Sequence, residues 1–162
     1  MNPRLLLLVP DETAMEALGA ALACAREGRV YLYLHGELGA GKTTLVRGFL
    51  RAAGHPGPVR SPTYTLVEPY DLDTGPGYHL DLYRLSSPEE LEYLGVRDLE
   101  RADAVLLVEW PERGAGALPA ADVTVTLEYA DAARRADLEG RTDAGKALLA
   151  RLAPPQGCTI LS

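Results

Sequence analysis

The sequence predicts an α/β fold of three layers, in which helices cover both faces of a mixed, mostly parallel sheet. Strand-like and helix-like segments alternate along the chain, which is typical of α/β proteins. Residues 30–34 and 104–108 are almost entirely apolar, as strands buried on both faces of a parallel sheet are. Residues 71–77, rich in Asp and Gly, join two further strand-like segments as an antiparallel hairpin, which makes the sheet mixed.

The first half of the chain contains two strands, each followed by a helix. Residues 5–9 predict the first strand, and a capping box at residues 13–16 predicts the start of the first helix. Gly28 is a typical helix stop. The β-forming residues 30–34 predict the second strand, from which a glycine-rich turn leads into a helix over residues 42–53.

The middle of the chain begins with a proline-rich loop over residues 55–62 and continues into the hairpin. The two hairpin strands are predicted at residues 63–70 and 78–85. A second capping box, at residues 87–90, has proline at the first helical position. It predicts a short helix that ends near Leu94.

The last third of the chain completes the sheet. Residues 104–108 predict a buried strand, and residues 122–129 and 134–138 predict two more. A final helix is predicted over residues 142–152. We expect the residues from Pro154 onward to form a loose tail.

The size and composition of the chain are those of a single globular domain. We expect one domain over residues 1–153, followed by a C-terminal tail at 154–162. The net charge of −7 argues against tight non-specific binding to nucleic acid or to an anionic membrane. No apolar run is long enough to span a bilayer, and Cys24 and Cys158 form neither a CxxC pair nor a zinc pattern. These features predict a cytoplasmic protein with reduced cysteines and no membrane contact.

A phosphate-binding motif lies between the second predicted strand and the helix that follows it. Residues 36–43, Gly-Glu-Leu-Gly-Ala-Gly-Lys-Thr, match G-x-x-x-x-G-K-[ST] at every fixed position. The glycines let backbone N–H groups converge on phosphate oxygens, and the helix N-terminus favours an anion. Lys42 is expected to reach the β- and γ-phosphates of a nucleotide, and Thr43 to ligate Mg²⁺. The motif therefore predicts a P-loop NTPase-like fold, and the alternative is a glycine-rich turn without a ligand.

A P-loop site also needs an acid that helps to hold Mg²⁺ and a group that orients the attacking water. Glu109 follows the apolar run 104–108, as in a Walker B strand, at the strand end where α/β sheets bind ligands. Asp81 lies within a predicted strand, with His79 on the same face and Arg84 on the opposite one. An acid among apolar residues needs a partner or a function. The alternatives are a surface acid at Glu109 and a salt-bridged structural acid at Asp81.

Further candidates lie near these acids in the sequence. Residues 61–64 carry hydroxyl groups on the loop after the P-loop helix, and they could close over the γ-phosphate as a switch segment. The alternative for this segment is a rigid connector. Trp110 follows Glu109 and could pack near a nucleotide, whereas a buried Trp more often belongs to the core. His79 fits a structural role as well as a functional one.

Taken together, these segments resemble the TsaE family, also called YjeE. Its members are the small ATPases of the bacterial machinery that makes threonylcarbamoyladenosine at position 37 of tRNA. The first similar segment occurs in many P-loop proteins, whereas the others, in this order, are much more specific. The similar segments cover most of residues 30–120 and are GELGAGKTTLVRGFL (36–50), SPTYTLVEPY (61–70), HLDLYRL (79–85), EELEYLGVRD (89–98) and VEWPERG (108–114).

The resemblance implies ATP and Mg²⁺ as ligands and assigns roles to residues at matching positions. Lys42, Asp81 and Glu109 would be catalytic. The metal site would consist of Thr43, Glu109 and Asp81, with Thr43 and Glu109 as ligands and Asp81 near the metal or its water. The nucleotide-binding residues would be Glu12, Thr13, Gly36, Leu38, Gly39, Ala40, Gly41, Lys42, Thr43, Thr44, Thr63 and Trp110.

The resemblance also implies a partner, a TsaD–TsaB complex that ATP hydrolysis resets between catalytic cycles. The ATPase would touch tRNA only through that complex, which agrees with the net charge of −7. Two alternatives stay open: a small-molecule kinase that uses the same P-loop, and a nucleotide-dependent binding module whose hydrolysis is incidental. A guanine-specific GTPase is not expected, because its Asn-Lys-x-Asp segment needs an asparagine and this chain has only Asn2.

Overall fold

The computed structural model describes residues 2–101 and 104–161, which contain eight strands, five α-helices and a 3₁₀ helix. The strands are β1 Arg4–Val9, β2 Tyr31–His35, β3 Val67–Leu72, β4 Gly75–Asp81, β5 Val105–Glu109, β6 Val123–Ala130, β7 Ala133–Gly140 and β8 Thr159–Ile160. The helices are α1 Glu12–Ala25, α2 Lys42–Ala52, α3 Glu89–Tyr93, α4 Val96–Arg101 and α5 Asp143–Arg151, with the 3₁₀ helix at Pro111–Gly114. Within the described residues, no helix is both long and apolar enough to cross a membrane.

All eight strands belong to one sheet, in the order β3-β4-β5-β2-β6-β7-β1-β8. The four neighbouring strands β4, β5, β2 and β6 run parallel to one another. The remaining pairs, toward both edges, are antiparallel. The mixed α/β sheet predicted from the sequence is confirmed, with its parallel pairing confined to the centre.

Side chains of the central strands alternate between two cores, one on each face of the sheet. Leu32 belongs to the core that includes residues of α1, α2 and α5, and Tyr33 to the core that includes residues of α3 and α4. Helices α1 and α2 pack so closely that a Cβ at Gly19 would lie only 2.0 Å from the backbone oxygen of Leu45. The helices therefore form two outer layers around the sheet, as expected for this fold class.

The hairpin at one edge of the sheet differs from the prediction in where its strands begin and end. Its strands are β3 and β4, and Leu72 pairs directly with Gly75, so the predicted loop over 71–77 is wrong. Residues 63–66 are not extended, and Leu66 adopts a φ of 67° in a turn closed by its N–H to the oxygen of Pro62. Asp, Gly and Pro favour a loop locally, but strand pairing and the burial of Leu72 in the core override that preference.

The first helix begins two residues earlier than its predicted capping box implies. The N-cap is Asp11, whose side chain accepts a hydrogen bond from the backbone N–H of Ala14 at 2.8 Å. Thr13 therefore lies inside the first turn of α1 instead of capping it. Since Asp and Thr are both good N-caps, the sequence pattern alone did not separate the two positions.

The C-terminal segment is part of the sheet, so the prediction of a loose tail is wrong. Strand β8 pairs antiparallel with β1, and the N–H of Leu161 donates to the backbone oxygen of Leu6 at 2.8 Å. Cys158 contacts α1 through its thiol, which donates to the backbone oxygen of Ala14 at 3.6 Å. Burial raises the pKa of the Cys158 thiol. The tail thus completes the edge beyond β1.

Candidate active site

Three adjacent parallel strands end at one edge of the sheet and bring the predicted residues together. Asp81 ends β4 and is the cross-strand neighbour of Glu109, which ends β5. Glu109 is in turn the neighbour of Leu34 in β2, and the P-loop at 36–43 follows β2. A cavity of about 890 Å³ lies at these strand ends, a volume typical of ligand sites.

The P-loop adopts backbone conformations that favour glycine at its fixed positions. The φ angle is 151° at Gly36 and 110° at Gly41, values that residues with a side chain rarely adopt. A Cβ at Gly36 would also lie 2.9 Å from the backbone oxygen of Leu127. Gly41 directly precedes α2, and no side chain caps that helix. The N–H groups of its first turn are therefore suited to an anion such as phosphate.

Lys42 lines the cavity and is almost completely buried. Its Nζ donates to the backbone oxygens of Gly36 and, at 3.2 Å, of Glu37. The same atom lies 3.9 Å from the ring centroid of Trp110. Burial lowers the pKa of Lys42, and the nearby Glu109 carboxylate partly opposes that shift. A phosphate would supply the full counter-charge that backbone oxygens and an aromatic ring offer only in part.

Thr43 and Glu109 are in direct contact in the cavity. The Oγ1 atom of Thr43 lies 2.9 Å from Oε2 of Glu109 and 3.1 Å from Oε1. The Nε2 atom of His79 lies 2.6 Å from the same Oε2, and both His79 and Glu109 are buried. The carboxylate is thus held between a hydroxyl and an imidazole.

The donor set around Glu109 fits Mg²⁺ bound together with a nucleotide. In residues 2–101 and 104–161 no group of three or more His, Cys, Asp or Glu could hold a metal ion by itself. Nucleotide-bound Mg²⁺ does not need such a group, because it uses one or two protein oxygens besides phosphate oxygens and water. The hydroxyl of Thr43 and the carboxylate of Glu109 are oxygen donors of that kind.

Asp81 borders the same cavity, and neutral groups hold its carboxylate. Ser61 donates its hydroxyl to Oδ2 at 2.8 Å, and the backbone N–H of Tyr83 donates to Oδ1 at 3.1 Å. Among the residues that the structure describes, none forms an ion pair with Asp81. The alternative that Asp81 is a salt-bridged structural acid is therefore not supported by any ion pair among the described residues.

Residues 61–64 reach the cavity from the loop that follows α2. Ser61 and Thr63 line it, and the hydroxyl of Thr63 donates to that of Ser61 at 3.4 Å. Tyr64 is highly exposed, and the guanidinium of Arg84 lies 5.1 Å from its ring centroid. The segment thus lies beside Asp81, a position compatible with the predicted switch role.

Most of the predicted nucleotide-binding residues line the cavity. They are Glu12, Leu38, Gly39, Ala40, Gly41, Lys42, Thr43, Thr44, Thr63 and Trp110. Gly36 and Thr13 do not: Gly36 begins the P-loop, and Thr13 is exposed on the first turn of α1. Trp110 packs against Tyr83, with ring centroids 5.0 Å apart.

Comparison with known proteins identifies the family. A family model described as threonylcarbamoyl adenosine biosynthesis protein TsaE matches residues 9–137. The chain belongs to the TsaE family. The matched segment contains every residue that lines the cavity, so the whole site lies within the part of the chain that is similar to the family.

Individual relatives support this assignment in sequence, and a solved structure supports the fold. The tRNA threonylcarbamoyladenosine biosynthesis protein TsaE of Haemophilus influenzae is 47% identical over 146 residues, which cover 87% of this chain and 92% of that protein. The protein of the same name from Bacillus subtilis is 38% identical over 122 residues, which cover 75% and 74%. The crystal structure of YdiB from Bacillus subtilis matches with a TM-score of 0.79 and 26% identity, covering 94% of this chain and 95% of that one.

One wall of the cavity in this TsaE-family chain was not predicted, because a distant hairpin forms it. Arg134 of β7 lines the cavity and donates to the backbone oxygen of Gly39 at 3.3 Å. The hydroxyl of Tyr129 in β6 donates to the backbone oxygen of Leu38 at 2.6 Å. The sequence predicts both strands of this hairpin, but no local signal shows that its turn folds onto the P-loop.

The contact of His79 with Glu109 was also not predicted. Alternation along the strand correctly placed His79 and Asp81 on one face of β4. The missing information was the register between β4 and β5, which sets His79 two positions before the Asp81–Glu109 pair. A cross-strand pairing of this kind follows from the sheet topology and not from local sequence.

Proposed function

We propose that this chain binds ATP with Mg²⁺ and hydrolyses it in tRNA threonylcarbamoyladenosine biosynthesis, the process for which its family is named. One observation carries the proposal: Thr43 contacts Glu109 in the same cavity that Lys42 and Asp81 line. That arrangement combines a phosphate-binding lysine, a pair of oxygen donors for a metal and a second acid.

The nucleotide would be held mainly by the P-loop. Backbone N–H groups at the start of α2 and the ammonium of Lys42 would bind the phosphate oxygens. Thr43 and Glu109 would hold Mg²⁺, which when bound neutralises charge on the β- and γ-phosphates. The Trp110 ring lies 3.9 Å from the ammonium group of Lys42 and would shield it from water. These residues bind and orient the nucleotide without covalent chemistry of their own.

Asp81 is the residue that we assign to the attacking water. Its carboxylate lines the cavity, and a hydroxyl and a backbone N–H hold it in place, so it keeps lone pairs that can accept a hydrogen bond from water. Hydrolysis forms a bond between the water oxygen and the γ-phosphorus and breaks the bond to the bridging oxygen, which leaves with ADP. A positioned carboxylate such as that of Asp81 can accept the proton from that water.

We further propose that a TsaD–TsaB-like complex is the partner and that tRNA is met only through it. The family's role in tRNA modification supports a place beside the modifying enzyme. The net charge of −7 disfavours direct binding to the tRNA backbone. A cytoplasmic location goes with this proposal and stays a prediction.

The test is to measure ADP release from ATP and Mg²⁺ by the purified protein, alone and with a TsaD–TsaB pair. We expect slow release alone and faster release with the pair, and we expect Lys42→Ala to abolish both. Release that survives in Lys42→Ala would reveal a contaminating ATPase. If the folded wild-type protein released no ADP under either condition, the proposal of hydrolysis would be refuted. Release that needs an added small phosphoryl acceptor would support the kinase alternative instead.

A further inference from the structure

His79 has an unusual environment for a buried polar side chain. Its ring lies at the interior of the sheet with no solvent exposure, and its Nδ1 has no hydrogen-bond partner among the described residues. Its polar contact is the 2.6 Å approach of Nε2 to Oε2 of Glu109. A leucine would fill similar space without leaving a buried nitrogen unpaired, so packing alone does not explain a histidine here.

The contact constrains which atom donates. An ionised carboxylate can only accept a hydrogen bond, so an ionised Glu109 at this distance requires the proton on Nε2 of His79. Glu109 is 3% exposed, and its other hydrogen-bond partner within residues 2–101 and 104–161 is the Thr43 hydroxyl. If Thr43 turns its oxygen toward a cation, His79 remains as the donor that holds the buried carboxylate.

The two oxygens of Glu109 are therefore not equivalent. Oε2 lies against both His79 and Thr43, whereas Oε1 lies at 3.1 Å from Thr43 and forms no other hydrogen bond with the residues that the structure describes. On the basis of the proposed function, we infer that His79 is a positioning residue for the divalent cation. It holds Oε2 of Glu109 in place, so that Oε1 and the Thr43 hydroxyl can bind the cation together. Groups that orient a metal-binding side chain in this way typically contribute 10–100-fold to metal affinity or activity.

The test compares His79→Leu, which removes the donor, with His79→Gln, whose amide can still donate near the position of Nε2. The readout is the affinity of each protein for a fluorescent ADP analogue, first with excess Mg²⁺ and then with EDTA. For His79→Leu we expect the factor by which Mg²⁺ raises the affinity for the ADP analogue to fall about 10–100-fold. The affinity in EDTA should stay unchanged. His79→Gln should keep most of the wild-type strengthening.

The outcomes separate this inference from the proposed function. If Mg²⁺ does not strengthen binding by the wild-type protein, the proposed metal site itself fails. If the wild-type protein responds and His79→Leu responds equally, only the inference about His79 fails. A purely structural role would lower the unfolding temperature of both variants and leave the effect of Mg²⁺ intact. The effect of His79→Leu should also largely vanish in a Glu109→Gln background, because two residues that act through one contact are not additive.

A second measurement covers the case in which His79→Leu does not fold. Nitrogen-15 NMR of the His79 ring in the wild-type protein, without nucleotide or metal, reports which ring nitrogen carries the proton. We expect a protonated Nε2, with a shift that changes in Glu109→Gln. A proton on Nδ1 with a bare Nε2 would overturn the inference.

Discussion

The parallel centre of the sheet and its antiparallel edges contribute to the molecule in different ways. The centre places Asp81 and Glu109 next to each other at strand ends and starts the P-loop from β2. The edge strands β3 and β8 contribute no residue to the cavity lining. Parallel strands bring their carboxyl ends to one side of the sheet, whereas a hairpin alternates its ends. We therefore expect mutations in the centre to change chemistry, and matched mutations in the edge strands β3 and β8 to change only stability.

The largest difference is expected between two aspartates of the same hairpin. Asp81→Asn should lower kcat for ATP hydrolysis about 10²–10⁴-fold, because it removes a positioned proton acceptor. Asp71→Asn removes the same charge from an exposed position in β3 and should leave kcat unchanged. Steady-state ADP release checks both variants, and ADP affinity should be normal in each. Equal rates of ADP release for Asp81→Asn and the wild type would show that Asp81 is not the proton acceptor.

The two lysines of the chain provide the next comparison. Lys42→Ala should weaken ADP binding about a hundredfold, because a charge-assisted hydrogen bond can be worth up to about 3 kcal/mol. Lys146→Ala, in α5 and outside the cavity lining, should bind ADP as the wild type does. Calorimetric titration measures both affinities. A similar loss in both variants would mean that general charge, and not the position of Lys42, governs binding.

Two glycines with positive φ separate strain in the site from strain elsewhere. Gly41→Ala at φ 110° and Gly75→Ala at φ 131° should each destabilise the fold by roughly 1–3 kcal/mol. A Cβ at Gly41 would lie 2.9 Å from Cε of Met15, whereas one at Gly75 would have no atom of the described residues within 4 Å. ADP affinity should fall about tenfold only in Gly41→Ala. There the P-loop relieves its strain by changing shape, and we expect this change to cost roughly 1.4 kcal/mol of ADP-binding free energy. Thermal unfolding and ADP titration of both variants check this expectation.

The same division explains how much of the structure the sequence predicts. The apolar runs at 30–34 and 104–108 became β2 and β5 with a shift of about one residue, because a strand buried on both faces has a strong local pattern. The hairpin and the tail were predicted less well, since their extended conformation depends on partners. Leu72 is extended because it pairs with Gly75, and β8 is extended because it pairs with β1.

The candidate site divides in a similar way. Lys42 and Thr43 follow from a motif, and Glu109 from the rule that ligands bind at strand ends. The roles of Arg134 and His79 depend on which distant segments the topology brings into contact. Neither contact produces a periodicity or a spacing in the sequence, so local sequence patterns cannot predict either one.

The smallest effect is expected from ending the chain after Cys158, which removes β8. The strand pairs with β1 at two positions, and Leu161 adds one hydrogen bond, so the loss in stability should be about 1–2 kcal/mol. Ile160 is half exposed and adds little burial. Strand β1 keeps its pairing with β7, so ADP affinity should not change. Urea unfolding and ADP titration measure the two effects separately. Because β1 leads directly into the cavity wall at Val9, a loss of affinity would show that an edge strand supports the site and that centre and edge are coupled.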